Sequence, residues 1–244
     1  MQIRVWCKTD KGLKRDNNQD SYLLSDTLNL YIVADGMGGH SGGEVASQMA
    51  VVKAQETIQS LLYKPGAKAR DVIQKAYWEA NKAIFHRANY ESPELNGMGT
   101  TMVMALAFKN TLYIGNVGDS RAYLYRRPYL WQITEDHSLH NEQIRAGLDP
   151  SKSPVGRNVI TRSVGFEAEV IADVLERPLQ AGDCYLLCSD GLSSMVSDQQ
   201  ISEIINQHPH DQVVDQLLQA ALRAGGHDNV TIMWIVIEDE GPVQ

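Results

Sequence analysis

The chain has 244 residues, enough for one large domain or two small ones. Hydrophobic residues make up 43% and charged residues 21%, so a sizeable core can be buried. The net charge of -8 argues against a nucleic-acid partner, which needs a basic face, and suits a site that collects cations.

In chain order, the opening Met1-Gln-Ile-Arg-Val-Trp-Cys7 has neither the apolar length nor the cleavage site of a signal peptide. No stretch approaches the length of a membrane span, so no membrane association is expected. Three cysteines without framework spacing indicate a reducing compartment, and the expected location is cytoplasmic. Apolar, β-branched or aromatic runs predict strands at Ser21–Leu24, Leu30–Ala34, Thr101–Phe108, Leu112–Val117, Ala122–Tyr125, Val170–Leu175, Cys184–Cys188 and Val230–Ile237. Helical patterns cover Gly43–Leu62 and Ala67–Ala88, broken by Lys64-Pro-Gly66, and later Ser197–Asn206 and Asp211–Ala224. Val45, Met49 and Val52 are read as core positions of the first helix, and Cys184 and Cys188 as buried thiols. Consecutive strands with helices in pairs imply antiparallel sheets covered by helical hairpins, not βαβ units. With no linker, repeat or low-complexity tract, one domain over residues 1–240 is expected, with a tail at 241–244.

The chemistry lies in where the aspartates fall. The strand at Leu30–Ala34 runs into Asp35-Gly36, Cys184–Cys188 runs through Ser189 into Asp190-Gly191, and Leu112–Val117 runs into Gly118-Asp119. Asp20 and Asp228 stand just before strands. Taken singly, each Asp-Gly reads as a turn. In an antiparallel sheet, however, strand ends adjoin strand starts, so all five carboxylates can meet on one edge. Asp20 and Asp35 would meet through a hairpin at Ser25–Asn29. Such a gathering repels itself unless cations neutralise it, and an all-oxygen set selects Mg²⁺ or Mn²⁺.

Asp35-Gly-Met-Gly-Gly-His-Ser-Gly-Gly-Glu44 follows a strand and opens a helix, but Ser41 stands where a dinucleotide fingerprint needs glycine, and there is no Walker lysine. Its glycines would let backbone approach a metal or phosphate. Arg15, five residues before Asp20, is placed to bind a phosphate dianion through paired hydrogen bonds. His137 and His140 have a spacing that could chelate zinc, yet no third ligand is apparent, and a surface helix start is the preferred reading.

Eight segments in order carry a family resemblance: Arg15-Asp-Asn-Asn-Gln-Asp20, Val33-Ala-Asp-Gly-Met-Gly-Gly-His40, Gly97-Met-Gly-Thr-Thr101, Val117-Gly-Asp-Ser-Arg121, Asp136-His-Ser138, Arg157-Asn-Val-Ile-Thr-Arg162, Cys188-Ser-Asp-Gly-Leu192 and Gly225-Gly-His-Asp-Asn-Val-Thr231. Over nearly its whole length the chain resembles the type-2C, metal-dependent protein serine/threonine phosphatases, in their short stand-alone bacterial form. The resemblance implies an α+β fold, a sandwich of two antiparallel sheets flanked by pairs of antiparallel helices. It implies two core Mn²⁺ or Mg²⁺ ions bridged by Asp35, with Gly36 on one and Asp190 and Asp228 on the other. A weaker third ion would sit on Asp119 with Asp190. Asp20 would act through water in the metal shell, Arg15 would bind substrate phosphate, and a hydroxide bridging the ions would attack phosphorus directly. Substrates would be phosphorylated proteins, with a bacterial Ser/Thr kinase as the opposing partner and a monomer as the working form.

Two departures stand out. Many eukaryotic relatives carry histidine after the first Asp-Gly, where this chain has Met37; His40 is then a candidate proton donor. The flap expected at 141–158 contains Leu148-Asp-Pro-Ser-Lys-Ser-Pro-Val155, short and proline-rich. A non-catalytic binding module and a hydrolase of small phosphoesters are the competing readings; the intact aspartates argue against the first.

Overall fold

The computed structural model describes residues 1–39, 42–149 and 159–239. His40, the 150–158 part of the flap region and the 241–244 tail lie outside them. One sheet has the order β1 (Gln2–Asp10), β11 (Val230–Glu238), β10 (Cys184–Cys188), β7 (Arg121–Arg126), β8 (Tyr129–Gln132). The other runs β2 (Asp20–Ser25), β3 (Leu30–Met37), β5 (Met102–Phe108), β6 (Thr111–Val117), β9 (Asp173–Pro178), and the short β4 (Gly99–Thr100) pairs with the end of β3. Every strand pairing is antiparallel.

The sheets pack face to face because alternate residues of the central strands are apolar and inward. Val33, Val103 and Ile114 from one sheet meet Leu124, Leu187 and Ile235 from the other. Each fully buried aliphatic side chain of this kind contributes roughly 1.5–3 kcal/mol. The outer face of the β2–β9 sheet is covered by α1 (Gly42–Leu61) and α2 (Ala69–His86), and that of the other sheet by α5 (Asp198–Gln207) and α6 (His210–Arg223). Ser197 and Gln200 cap the start of α5 reciprocally, satisfying backbone N–H groups that the first turn leaves unpaired. Two shorter α-helices, α3 (Leu139–Arg145) and α4 (Asp190–Ser193), and a π-turn and a 3-10 turn after α2 (Arg87–Glu91 and Pro93–Leu95), complete the described elements. No described helix is long and apolar enough to cross a membrane. The expected α+β sandwich with helical pairs is the observed one.

Three expectations need correction. Val52 is exposed, because α1 lies so close to the sheet that its buried face is built from small residues, Ala46, Ala50 and Ala54, with Val51 and Ile58. The strand expected at Val170–Leu175 begins at Asp173, since Gln74 of α2 takes both the N–H and the carbonyl of Ala172 and keeps that stretch off the ladder. Strands β1 and β8 and the short β4 had no counterpart in the sequence reading. The thiols of Cys184 and Cys188 are buried and unbridged, as read from sequence.

Candidate active site

The site forms where one end of each sheet meets at a shared edge. Strands β2 and β3 make the anticipated hairpin, and its register places Asp20 opposite Asp35. In the other sheet, β10 lies between β11 and β7, so Asp190 after β10 stands near Asp228 before β11 and Asp119 before β7. A cleft of about 570 Å³ opens there, lined by Asp35, Asp119, Asp190, Asp228, Arg15 and Met37 among others. A larger groove of about 710 Å³ lies by Tyr125, Cys184 and His210 at the far ends of β7 and β10, and among the described residues its only carboxylates are the neighbours Glu238 and Asp239. The chemistry therefore belongs to the smaller cleft.

Asp20 is buried behind the cleft, and the other four aspartates are half-buried. Oδ2 of Asp20 accepts hydrogen bonds from the hydroxyls of Ser189, at 2.8 Å, and Thr231, at 2.7 Å. Its Oδ1 and the Oδ1 of Asp190 are buried without a protein hydrogen-bond partner. Asp228 accepts from the Arg15 guanidinium at 2.7 Å and from the Asn229 backbone N–H at 2.8 Å. Half of the Arg15 side chain remains exposed at the cleft.

The backbone beneath these carboxylates is held by groups whose roles no local sequence pattern marks. Thr101 binds the peptide of Asp35 on both sides: its Oγ1 accepts from the Asp35 N–H at 3.0 Å, and its N–H donates to the Asp35 carbonyl at 2.8 Å. The Thr101 hydroxyl also pairs with Ser120 at 2.7 Å, which ties the Asp35 strand to the Asp119 turn. Asn229 donates to the carbonyls of Lys11 and Asn17 and accepts from the Gln19 N–H, fastening the segment that carries Arg15. Gly36 must be glycine, because an added methyl would lie 2.0 Å from the Gly43 carbonyl oxygen. These residues escaped the sequence reading except as parts of motifs, since their partners lie tens to hundreds of positions away.

His137 and His140 do not form a zinc site. Ser138 caps α3, as a helix start requires, but His137 is buried, not on the surface. Burial lowers its pKa and keeps the ring neutral. Among the described residues, no three His, Cys, Asp or Glu side chains close on one point as a finished ligand cage.

Residues 8–230 match the protein phosphatase 2C family. The chain belongs to that family. It is 37% identical over 236 residues to a serine/threonine phosphatase, Stp, of Listeria innocua, covering 93% of each chain. Among solved structures it resembles PstP of Mycobacterium tuberculosis, with 37% identity, a TM-score of 0.86, and 97% and 99% of the two chains covered. A structure of the PstP catalytic domain in complex with two manganese ions gives the same values. Stp1 from Staphylococcus aureus is similar at 34% identity and a TM-score of 0.88, covering 98% of this chain and 96% of that one.

The electrostatics of this 2C phosphatase's cleft fit divalent cations. Burial pushes the Asp20 carboxyl up to about 6, and Asp190 and Asp228 push the same way against the two hydroxyl bonds. Burial and then Asp228 raise Asp190 to about 6. Burial and then Asp190 and Asp136 raise Asp119 to about 7. Burial and four neighbouring carboxylates hold Asp35 well above the usual range. Among the described residues the donors are carboxylates without thiolate or imidazole, two of their buried oxygens have no protein partner, and the opposing positive charge comes from Arg15 at Asp228 and from Arg121 near Asp119 and Asp190. This is the donor chemistry of a hard, doubly charged ion.

A stability prediction follows for the metal-free protein. Each raised carboxyl binds its proton more tightly folded than unfolded, so the stability it contributes is full below about pH 3.8 and is lost as pH rises through about 6 to 7. Thermal unfolding after chelation should show Tm falling across pH 4 to 7, and added Mn²⁺ should restore Tm most at the upper end. A metal-free Tm that rises steadily across that window would refute the repelling cluster.

Proposed function

We propose that this 2C-family phosphatase removes phosphate from phosphoserine and phosphothreonine of proteins, passing it directly to water. The observation that carries the reading is the gathering of Asp35, Asp119, Asp190 and Asp228 at one cleft with Asp20 buried behind it, two of the five having unpartnered buried oxygens, and with Arg15 beside them. Asp35, Gly36, Asp190 and Asp228 would hold two divalent cations, and Asp119 with Asp190 a weaker third. When bound, such ions act as Lewis acids that activate water and offset charge on the phosphoryl group. Manganese is favoured over magnesium by the two ions named for PstP.

The chain's own residues set the geometry. Asp228 orients the Arg15 guanidinium, whose planar fork can donate two parallel bonds to a phosphate dianion. Ser189 and Thr231 fix one oxygen of Asp20 and leave the other unpartnered, where it would accept from water once ions were held by the neighbouring aspartates. Met37 lines the cleft and can hold no proton, which leaves the leaving-group acid unassigned; water and His40, which lies outside the described residues, are the candidates. One catalytic domain over 1–240 would act as a cytoplasmic monomer against a Ser/Thr kinase; the free thiols favour that compartment.

Assay on a phosphothreonine peptide beside a nucleotide panel, with Mn²⁺, tests the substrate class. Faster turnover of nucleotides than of the peptide would replace this reading with a small-phosphoester hydrolase. Arg15→Ala should raise KM for the peptide with a smaller fall in kcat, because a guanidinium binds phosphate in ground and transition states alike. An unchanged KM would return Arg15 to a structural partner of Asp228. Asp119→Ala should retain two Mn²⁺ by calorimetry, and lose more activity on the peptide than on an activated aryl phosphate whose leaving group needs no proton. Loss of all metal, or equal defects on both substrates, would remove Asp119 from the third site.

A further inference from the structure

The turn that carries Asp119 is gripped by one buried side chain that the proposed chemistry does not use. The Gly118 N–H donates to Nδ1 of His137 at 3.0 Å, and the His137 N–H donates to the Gly118 carbonyl at 3.0 Å. One residue therefore binds both polar groups of the glycine that precedes Asp119. Gly118 has a φ of +105°, open in practice only to glycine, and a methyl there would lie 2.5 Å from Cβ of Thr101. With no side chain at 118 to interlock, the turn is located by its hydrogen bonds. A backbone N–H can only donate, so Nδ1 of His137 must be the bare nitrogen and Nε2 carries the proton. That Nε2–H points to Oδ2 of Asp173 at 3.1 Å, and the other oxygen of Asp173 accepts from Arg162 at 2.9 Å. Asp173 thus sets the tautomer, and the tautomer sets the acceptor for Gly118. This is how a carboxylate orients an imidazole at many metal sites, here applied to a backbone turn rather than to a metal ligand.

We infer that His137 is a positioning residue for Asp119, holding its carboxylate at the cleft through the Gly118 peptide. The inference rests on the reading of Asp119 as a ligand of the third, weaker ion. Asp119 hangs from a turn fixed on one side by His137 and on the other by the Ser120–Thr101 hydroxyl pair. Loss of the His137 acceptor leaves a buried N–H unpaired and lets the turn rotate towards other acceptors.

Two near-isosteric variants separate this role from general packing. The amide of Asn reaches the place of Nδ1 and can accept from Gly118, but it cannot reach Asp173. The amide of Gln reaches the place of Nε2 and can donate to Asp173, but it puts only a methylene beside Gly118. His137→Asn should therefore keep the third Mn²⁺ in calorimetric titration with MnCl₂, and keep phosphopeptide turnover within severalfold of wild type. His137→Gln should lose that ion and at least about tenfold in phosphopeptide turnover, with a milder loss on an aryl phosphate, as for Asp119→Ala. The double variant His137→Gln/Asp119→Ala should be no worse than Asp119→Ala alone, since both changes act through one carboxylate. Hydrogen exchange of the Gly118 amide, protected in His137→Asn and fast in His137→Gln, reports the bond without reference to metal or activity. Equal defects in the two histidine variants, or an additive double variant, would overturn the positioning role while leaving the third-ion reading intact. If Asp119→Ala binds the full complement of Mn²⁺ with full activity, the third-ion reading fails; the positioning role fails with it, whatever His137→Gln does.

Discussion

Exhaustive EDTA treatment should reduce turnover of a phosphothreonine peptide by about 10³-fold or more, and Mn²⁺ should restore it. Several kcal/mol of transition-state stabilisation rest on cations in a two-metal site, and each 1.4 kcal/mol is about tenfold in rate. The residues left behind cannot substitute. Arg15 is engaged with Asp228, Met37 is inert, and Asp35, Asp119, Asp190 and Asp228 put acidic groups where a phosphate dianion must enter. The chelated protein should remain folded by circular dichroism, because the three apolar clusters that hold the sheets and helices together do not pass through the cleft. Undiminished turnover after chelation, in protein verified free of metal, would sink the metal-dependent reading of this cleft.

The second large effect is expected from Asp35→Asn. Asp35 is the register partner of Asp20 and feels Asp20, Asp190, Asp119 and Asp228, in that order, so it is the most central of the five. The amide is nearly the same size, and it keeps the backbone bonds to Thr101. It removes the charge that a bridge between two ions requires. Turnover should fall by about 10³-fold, on the scale of losing one strong charge–charge term in a shielded site. Stability should move the other way: without metal the variant should melt at or above the wild-type Tm, because one repelling carboxylate has gone, and added Mn²⁺ should raise its Tm less than that of wild type. Near-wild-type turnover in a folded variant would show that another residue forms the bridge.

Much of this architecture was legible in the residues, and for a local reason. A strand has period two, so the apolar face of Cys184–Cys188 and the carboxylate two residues beyond its end are read directly from the chain. The hairpin that sets Asp20 against Asp35 needs only a short turn and matching alternation, both present within sixteen residues. The breaks at Lys64-Pro-Gly66 and at Ser197 are local as well, set by backbone restriction and by capping. On α1, Val45 and Met49 pack against the core as read, but Val52 was misread and the fully buried alanines were missed, because alanines carry little hydrophobic signal, whereas the close approach of Gly43 to Gly36 makes small residues the ones that fit.

The rest was decided by pairings across long stretches of chain. Strand β1 places Ile3, Val5 and Cys7 on one face, an alternation the sequence reading passed over because Trp6 interrupts its polar side, and its pairing with β11 along all nine residues fixes it at the sheet edge. Only the placement of β10 between β11 and β7 brings Asp190, Asp228 and Asp119 to one cleft. The threonine that holds Asp35 and the histidine that holds Gly118 are 66 and 19 residues from their partners. No periodicity or turn chemistry connects such positions. Those bonds form because burial leaves a backbone N–H with no water to bind, and whichever side chain the packed sheets bring within about 3 Å must satisfy it.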